Sequence, residues 1–129
     1  MSSDRILAAM DMSGSAASAL SLDVEVKEGV VLLHVGGEID VVTAPEFQEA
    51  VDRATSEHPD AVLVADLSDV TFLASAGLAV LVRCSEERGE DRRFLVVAHG
   101  PTTVRPLELT GLTEALEVFS SVEAALTTV

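Results

Sequence analysis

The stretch from residue 61 to residue 90 limits most strongly how this chain folds. It begins with the apolar run 61–65, which is typical of a buried strand, continues through an acidic segment at 66–69 that we interpret as a turn, and enters a helical pattern at Ser75. The first N–H groups of a helix lack intrahelical partners and carry partial positive charge. A hydroxyl at this place either caps those groups or carries a phosphoryl group that does so more strongly. The sequence therefore raises the question of which role Ser75 has.

Length and composition indicate one domain with a packed core. The chain has 129 residues, of which 48% are apolar, and no apolar run approaches the roughly 18 residues that a membrane span needs. Residues 1–21, rich in Ser, Ala and Met, are predicted to form a flexible tail, and residues 22–129 the domain. The N-terminus lacks a basic start and a long apolar block, so we expect neither signal peptide nor anchor, and a cytoplasmic location.

Charge and residue spacing exclude several classes of function. A net charge of −14 argues against binding to nucleic acid or anionic membranes, because phosphate-binding surfaces need clustered Lys and Arg. Arg88, Arg92 and Arg93 come close together, and we expect them at a solvated helix end. The histidines are dispersed and Cys84 is the single cysteine, which predicts no metal and no cofactor and makes Cys84 a core residue rather than a redox sensor.

The order of patterns predicts a mixed α/β fold. Alternating residues from 22 to 27, a turn at 28–29 and the run 30–35 predict a hairpin, after which two glycines end or bulge the second strand. Strands at 61–65, 93–98 and 116–119 alternate with helices at 44–56, 75–87, about 101–109 and after Ser120. Thr43 with Glu46 is predicted to cap the first helix, and Ser120 the last. We expect an α/β domain whose mixed sheet of four to five strands carries about four helices, mainly on one face.

The helix after Ser75 is apolar almost all the way round its first turns. Leu78 and Leu81 form the stripe expected to pack on the sheet, while Ala76, Val80 and Cys84 line another side. An apolar second side must be covered by another element or offered to a partner.

Two enzyme-like interpretations fail on missing residues. A serine hydrolase elbow has a glycine on each side of the nucleophile, whereas only Gly77 is present around Ser75. A phospho-aspartate receiver would use Asp66 at the end of its strand, but the only lysine, Lys27, lies on the first strand. Asp66, Asp69 and Asp40 are expected in loops at the same sheet end as Ser75. Turn and cap chemistry would account equally well for Asp66 and Asp69, and Asp40 has no obvious local role.

Several short motifs follow one another along the chain in a definite order and spacing. They are Gly37-Glu38-Ile39-Asp40, Thr43-Ala44, Asp66-Leu67-Ser68 with Val70 and Phe72, and Ser75-Ala76-Gly77-Leu78, with a late leucine-glycine segment at 107–112. In order and spacing these motifs resemble the bacterial anti-sigma factor antagonists of the STAS domain family, and the resemblance extends from about residue 22 to the C-terminus.

The resemblance implies partner switching rather than enzyme activity. In this family the unmodified antagonist binds an anti-sigma factor that is also a serine kinase, and so frees a sigma factor. Phosphorylation of the serine at the head of the helix breaks the complex, and a phosphatase restores it. Ser75 occupies the matching position, although many members carry an acidic residue where this chain has Ala74. The alternative is a STAS scaffold that is never phosphorylated, or a subunit of a lipid-transport or signalling complex, in which Ser75 is a helix cap.

The resemblance also implies a partner-binding surface around the phosphorylated serine. We expect it to combine the loop that follows the second strand with the head of the long helix. Its predicted members are Asp40, Thr43, Leu73, Ala74, Ser75, Ala76 and Val80.

Overall fold

A five-stranded mixed sheet in the order β1-β2-β3-β4-β5 forms the centre of the protein in the computed structural model, which describes residues 19–129. The strands are β1 (Leu20–Lys27), β2 (Val30–Ile39), β3 (Val62–Leu73), β4 (Phe94–Val97) and β5 (Glu117–Phe119). The helices are α1 (Ala44–Glu57), α2 (Ser75–Arg88), α3 (Pro101–Leu109), α4 (Leu112–Ala115) and α5 (Val122–Leu126). Residues 1–18 of the predicted tail lie outside the described residues, and β1 begins two residues before the predicted domain boundary.

The sheet combines one antiparallel hairpin with a parallel series. β1 and β2 pair in antiparallel register from Leu20 opposite Gly37 to Lys27 opposite Val30, as the alternating pattern predicted. Gly29 makes the turn with φ +74°, a conformation that glycine adopts without a steric penalty. β2, β3, β4 and β5 all pair in parallel, and helices make the connections between them.

β3 is longer than the sequence predicted, because the acidic segment at 66–69 is not a turn. The strand runs without a break from Val62 to Leu73. Leu67 is completely buried and Val70 is 5% exposed, so both contribute to the core. The polar residues between the two apolar stretches resembled a turn, but they belong to a strand paired with β2, whose register shifts between Asp66 and Asp69.

The pairing of β2 with β3 is irregular at the two glycines near the end of β2, but the strand does not end there. The pairing of β2 with β3 shifts between His34 and Gly36 and again between Gly37 and Glu38, and the strand continues to Ile39. Gly37 has φ +89°, and a Cβ there would collide with the carbonyl oxygen of Ala19. Each shift passes one more residue of β3 than of β2, so the extra residues of these bulges lie in β3.

Helices cover the two faces of the sheet unequally. We call the face that carries α1, α2 and α3 the main face, because the larger core cluster lies there, centred on fully buried Phe47, Leu81 and Leu107. The other face, called here the opposite face, is covered by α5, whose Ala125 packs with Val64 and its neighbours. The predicted arrangement of a mixed sheet with helices mainly on one face is confirmed.

The second apolar side of α2 is covered by another element. Val80 is 6% exposed and Cys84 2%, and both belong to the main-face cluster beside residues of α1. Burial raises the pKa of the Cys84 thiol to about 12, which keeps it protonated and unreactive at neutral pH. The interpretation of Cys84 as a core residue is confirmed.

Arg88 differs from the prediction of a solvated helix end. Its side chain is 4% exposed and lies between α1 and the start of β3. The guanidinium donates one hydrogen bond to Thr55 Oγ1 at 3.1 Å and another to the carbonyl oxygen of Ala61, while its Nε has no partner among the described residues. Burial lowers the pKa of Arg88 from its usual range. This arginine joins three elements instead of facing solvent.

The last third of the chain corrects two further predictions. The cap of α5 is Ser121, not Ser120, and its Oγ accepts a hydrogen bond from the N–H of Ala124 at 3.0 Å. The short helix α4 was not predicted, since four residues give too little periodicity to recognise.

Candidate functional site

Ser75 is the first residue of α2 and does not cap it. The cap position belongs to Ala74, which has extended backbone angles, φ −91° and ψ 172°, and no side-chain hydrogen bond caps the helix. The interpretation of Ser75 as a helix cap is therefore wrong. Its side chain is exposed, and its hydroxyl makes no hydrogen bond with any residue from 19 to 129.

The head of α2 has donors available to an anion. The N–H groups of Gly77 and Leu78 donate to the carbonyl oxygen of Ala74, at 2.9 and 3.2 Å. The N–H groups of Ser75 and Ala76 come earlier in the helix, where no intrahelical acceptor exists. Together with the helix dipole, these groups make the position of the Ser75 hydroxyl favourable for a phosphoryl group.

Two contacts seat the head of α2 against the ends of β2 and β3. The N–H of Ala74 donates to the carbonyl oxygen of Ile39 at 2.9 Å. Gly77 is buried, and a Cβ placed on it would lie 2.5 Å from Ile39 Cγ2 and 2.7 Å from Leu73 Cδ1. Only a residue without a side chain lets the helix approach this closely. The position of Ser75 is thus fixed by packing that begins two residues after it.

The loop after β2 is held together by Asp40. Its Oδ1 accepts hydrogen bonds from the N–H groups of Val42 and Thr43, at 2.9 and 3.0 Å. The bond from the Thr43 N–H is the main reason that the pKa of Asp40 lies below its usual value. Asp40 therefore has a local role, which the sequence did not indicate: its carboxylate replaces the turn acceptors that a short loop lacks.

Thr43 stabilises the same loop instead of capping α1. Its hydroxyl donates to the carbonyl oxygen of Glu38 at 2.7 Å and accepts from the N–H of Asp40 at 2.9 Å. Thr43 stands at the cap position of α1 but makes no side-chain cap bond, so the predicted capping box with Glu46 is wrong. The hydroxyl faces back toward β2 because Thr43 is 4% exposed and its backbone is already helical.

The predicted partner-binding residues separate into exposed and buried sets. Ser75 is exposed, and Ala74 and Ala76 are partly buried. Leu73 and Val80 are each 6% exposed and lie in the main-face core. Buried residues can determine the shape of a surface but expose little area that a partner could contact. Contact with a partner stays a prediction for the whole set.

Three apolar side chains near Ser75 are exposed, and two of them lie in the loop that was predicted to belong to the partner-binding surface. Val41 and Val42 are 76% and 74% exposed, and Phe72 is 51% exposed. The pairing of β2 with β3 brings them to the head of α2, because Phe72 lies opposite Glu38 and the next pair, Ile39 with Leu73, directly precedes both segments. The signal in the sequence was an apolar pair in a loop between two polar residues. We call Val41, Val42, Phe72 and Ser75 the switch face.

Asp66 does not join Ser75, contrary to the expectation from its position in a predicted loop. It lies within β3 on the opposite face, where its Oδ2 is 2.8 Å from His34 Nδ1. The hydroxyl of Ser68 donates to the other oxygen of Asp66 at 2.6 Å. Burial would raise the pKa of Asp66, but the hydrogen bonds from Ser68 and His34 lower it further than burial raises it. Asp66 is therefore an ionised residue that links two neighbouring strands.

Within residues 19–129, no group of three or more His, Cys, Asp and Glu side chains is arranged to hold a metal ion. In that same part of the chain, no helix is long and apolar enough to cross a bilayer.

Comparison with known proteins agrees with this geometry, since residues 21–125 match the STAS domain. The chain belongs to the STAS domain family. It is 43% identical over 113 residues to the anti-sigma-F factor antagonist RsfB of Mycobacterium tuberculosis, covering 88% of this chain and 92% of that protein. The anti-sigma-B factor antagonist of Listeria monocytogenes is 29% identical over 103 residues, covering 77% of this chain and 90% of that protein.

Solved structures carry the same fold. The crystal structure of an anti-sigma factor antagonist from Mycobacterium paratuberculosis superposes with a TM-score of 0.80 at 41% identity, covering 85% of this chain and 93% of that one. The predicted STAS fold is therefore confirmed.

Proposed function

We propose that this protein is an anti-sigma factor antagonist whose binding is switched off by phosphorylation of Ser75. Two relatives with more than 40% identity are named as anti-sigma factor antagonists, which supports the first part of the proposal. In the proposed cycle the unmodified protein binds an anti-sigma factor that is also a serine kinase, and a sigma factor is released. The kinase then modifies Ser75, the complex dissociates, and a phosphatase restores the free hydroxyl.

The observation that carries the proposal is the free hydroxyl of Ser75 at an uncapped helix start. A serine that capped the helix would have to give up a structural hydrogen bond before it could react, whereas this hydroxyl is exposed and unbonded within the described chain. The neighbouring N–H groups would then bind the phosphoryl group without a change of fold. Modification would therefore change the surface and leave the domain intact.

The switch face explains how a single phosphate would weaken binding. Val41, Val42 and Phe72 offer apolar surface that a partner can bury, at about 25 cal/mol per Å². A phosphoserine beside them brings about −1.5 to −2 charges, whose hydration shell the partner would have to remove before it could bury this apolar patch. Because about 1.4 kcal/mol changes affinity tenfold, even partial disruption of this patch is enough for a switch.

The charge of the chain fits a partner with a basic face. The net charge is −14, and such a field steers encounter with an oppositely charged surface. Adding a phosphate would not reverse this long-range attraction. The proposed switch therefore acts through local contacts at the head of α2.

Phosphate mapping tests the proposed acceptor. The protein, its cognate anti-sigma factor and ATP are incubated together, and the added phosphate is located by mass spectrometry. We expect one phosphate, on Ser75, and none in Ser75→Ala, while Ser120→Ala serves as a matched control because Ser120 is also exposed. Phosphate on another residue, or none with the true partner, would contradict the switch and favour a constitutive STAS scaffold.

A further inference from the structure

Between Ser21 and Lys27, the outer edge of β1 pairs with no other strand among residues 19–129. β1 is the first strand in the sheet order, so β2 is its only neighbouring strand within the described residues. From Ser21 to Lys27 the strand contains no proline and pairs without interruption with β2. An edge of this kind presents a row of backbone donors and acceptors that can pair with another strand.

The hairpin register shows which backbone groups face this edge. The N–H of Glu38 donates to the carbonyl oxygen of Ala19 at 2.9 Å, and the register places these two residues opposite each other. Hydrogen-bonded and non-hydrogen-bonded pairs alternate along an antiparallel ladder, so Leu22, Val24 and Val26 direct their N–H and C=O groups outward. These groups are the ones that a further strand would bind.

The side chains of β1 divide into an apolar and a charged row. Val24 and Val26 lie on the main face, in line with Leu22 of the core cluster, yet they are 55% and 54% exposed. Asp23, Glu25 and Lys27 alternate with them on the opposite face. Edge strands are usually protected by charges, but here only one face carries them.

We propose that β1 pairs with β1 of a second copy of this chain, antiparallel, about a twofold axis at Glu25. In this register Val24 lies opposite Val26 of the second copy, and the symmetry repeats the contact. Asp23 lies opposite Lys27 of the second copy, which gives two ion pairs. The outward backbone groups of Val24 and Val26 then bond across the axis, and the two sheets become continuous.

Charge and overlap select this register over its neighbours. With the axis at Val24, Asp23 would face Glu25 of the second copy twice, which places like charges directly opposite each other. With the axis at Val26, only residues 25–27 of each strand would overlap. The chosen register has one like-charge contact, between the two Glu25 carboxylates. Each of them is already held by Lys27 at 3.4 Å and His34 at 3.2 Å.

Sedimentation equilibrium of the full chain in 0.15 M salt tests the association. Screening over about 8 Å at this ionic strength reduces the general repulsion between two acidic copies. The average mass is expected to rise with concentration from that of the 13.5 kDa chain toward twice that value. A constant monomer mass over the whole concentration range would overturn the proposal.

Substitutions test whether β1 forms the interface. Val24→Lys is expected to weaken association at least about tenfold, since it removes an apolar pair and adds like charge at the seam. Leu109→Lys is the matched control, because Leu109 is also an exposed apolar residue, at 75%, and lies at the end of α3. A dimer that survives Val24→Lys, or is lost equally in Leu109→Lys, would overturn the assignment to β1.

Oxidative cross-linking tests the register. Across a non-hydrogen-bonded pair the Cα atoms are about 4.5 Å apart, within the range of a disulfide, so Glu25→Cys is expected to form a covalent dimer. Asp23→Cys is the control, because its two copies would be about 13 Å apart along the strands. The wild type gives the baseline, since Cys84 is buried. Cross-linking of Asp23→Cys in place of Glu25→Cys would overturn the proposed axis.

Discussion

Ser75 and Ser121 both stand where a helix begins, but they differ by one position. Ser121 occupies the cap position of α5, and its hydroxyl accepts a hydrogen bond from the N–H of Ala124 at 3.0 Å. Ser75 lies one residue further into α2, after the cap residue Ala74, and its hydroxyl stays unbonded in the described chain. The hydroxyl of Ser121 therefore stabilises its helix, whereas the hydroxyl of Ser75 makes no bond that a modification would have to break.

The backbone alone does not explain this difference. Ala74 and Ser121 both have extended conformations, with ψ values of 172° and 158°, so the two helices start in similar ways. What differs is that an alanine fills the cap position of α2. The uncapped N–H groups and the free hydroxyl therefore occur together at the same helix head, where a phosphoryl group would satisfy them.

The largest loss of stability is expected from a substitution that disturbs the packing of α2 against Ile39 and Leu73. Gly77→Val would drive side-chain atoms into Ile39 and Leu73, because a Cβ at this position already comes within 2.5 and 2.7 Å of their side chains. The substitution should lower the free energy of unfolding by about 3 kcal/mol. Urea denaturation followed by circular dichroism measures this change.

Ala79→Val is the matched control for that substitution. Ala79 is exposed on the same helix, so valine there should cost only about 0.5 kcal/mol of helix propensity. Equal losses in the two variants would show that packing below Ser75 does not fix the helix head.

The comparison of the two serines gives a smaller effect. Ser121→Ala removes a cap bond and should lower the free energy of unfolding by about 1 kcal/mol. Ser75→Ala removes no bond within the described chain and should change it by less than about 0.5 kcal/mol. Both values come from urea denaturation under the same conditions. A larger loss in Ser75→Ala than in Ser121→Ala would reverse the roles assigned here.

The contact of Asp66 with His34 predicts a small pH effect. Ser68 and His34 both bind Asp66. Burial lowers the pKa of His34, but its bonds to Asp66 and Glu25 raise it more, so the folded pKa lies above the ordinary value. Stability from His34 is then complete below about pH 6.5 and is lost as pH rises through the folded pKa.

His34→Gln measures that contribution. The His34 side chain is 36% exposed, so solvent screening limits the expected loss to about 0.5 kcal/mol at about pH 5.5, and the loss should shrink by about pH 8.5. Thermal unfolding of both proteins at the two pH values gives the difference. A loss that grows with pH would contradict the direction of the pKa shift.

The sequence predicted the helices and strands better than the side-chain hydrogen bonds that join one element to another. Apolar periodicity located the hairpin, the long helices and the parallel strands, because burial of one face governs those patterns. The polar segment that contains Asp66 looked like a turn, since the partner that allows it inside a strand, His34, is 32 residues away. Arg88 looked solvated for the same reason: its acceptors Thr55 and Ala61 lie on other elements.

The motif resemblance proposed Ser75 and the loop after β2 as parts of one site, and contact with a partner stays a prediction. The structure adds the exposure of Val41, Val42 and Phe72, and the register of β2 with β3 brings their two segments together. Whether a hydroxyl caps a helix depends on a boundary that shifts by one residue, which sequence patterns do not resolve. The helix start at Ser75 was predicted correctly, but the cap role that stayed open for Ser75 belongs to Ala74, and the cap of the last helix was misplaced by one residue.

The affinity of the phosphorylated protein for its anti-sigma factor tests the central claim most directly. The protein phosphorylated on Ser75 is separated from the unmodified form, and isothermal titration measures the dissociation constant of each with the same anti-sigma factor. The account predicts binding at least about tenfold weaker for the phosphorylated form, with an unchanged circular dichroism spectrum. Equal affinities of the two forms would contradict it.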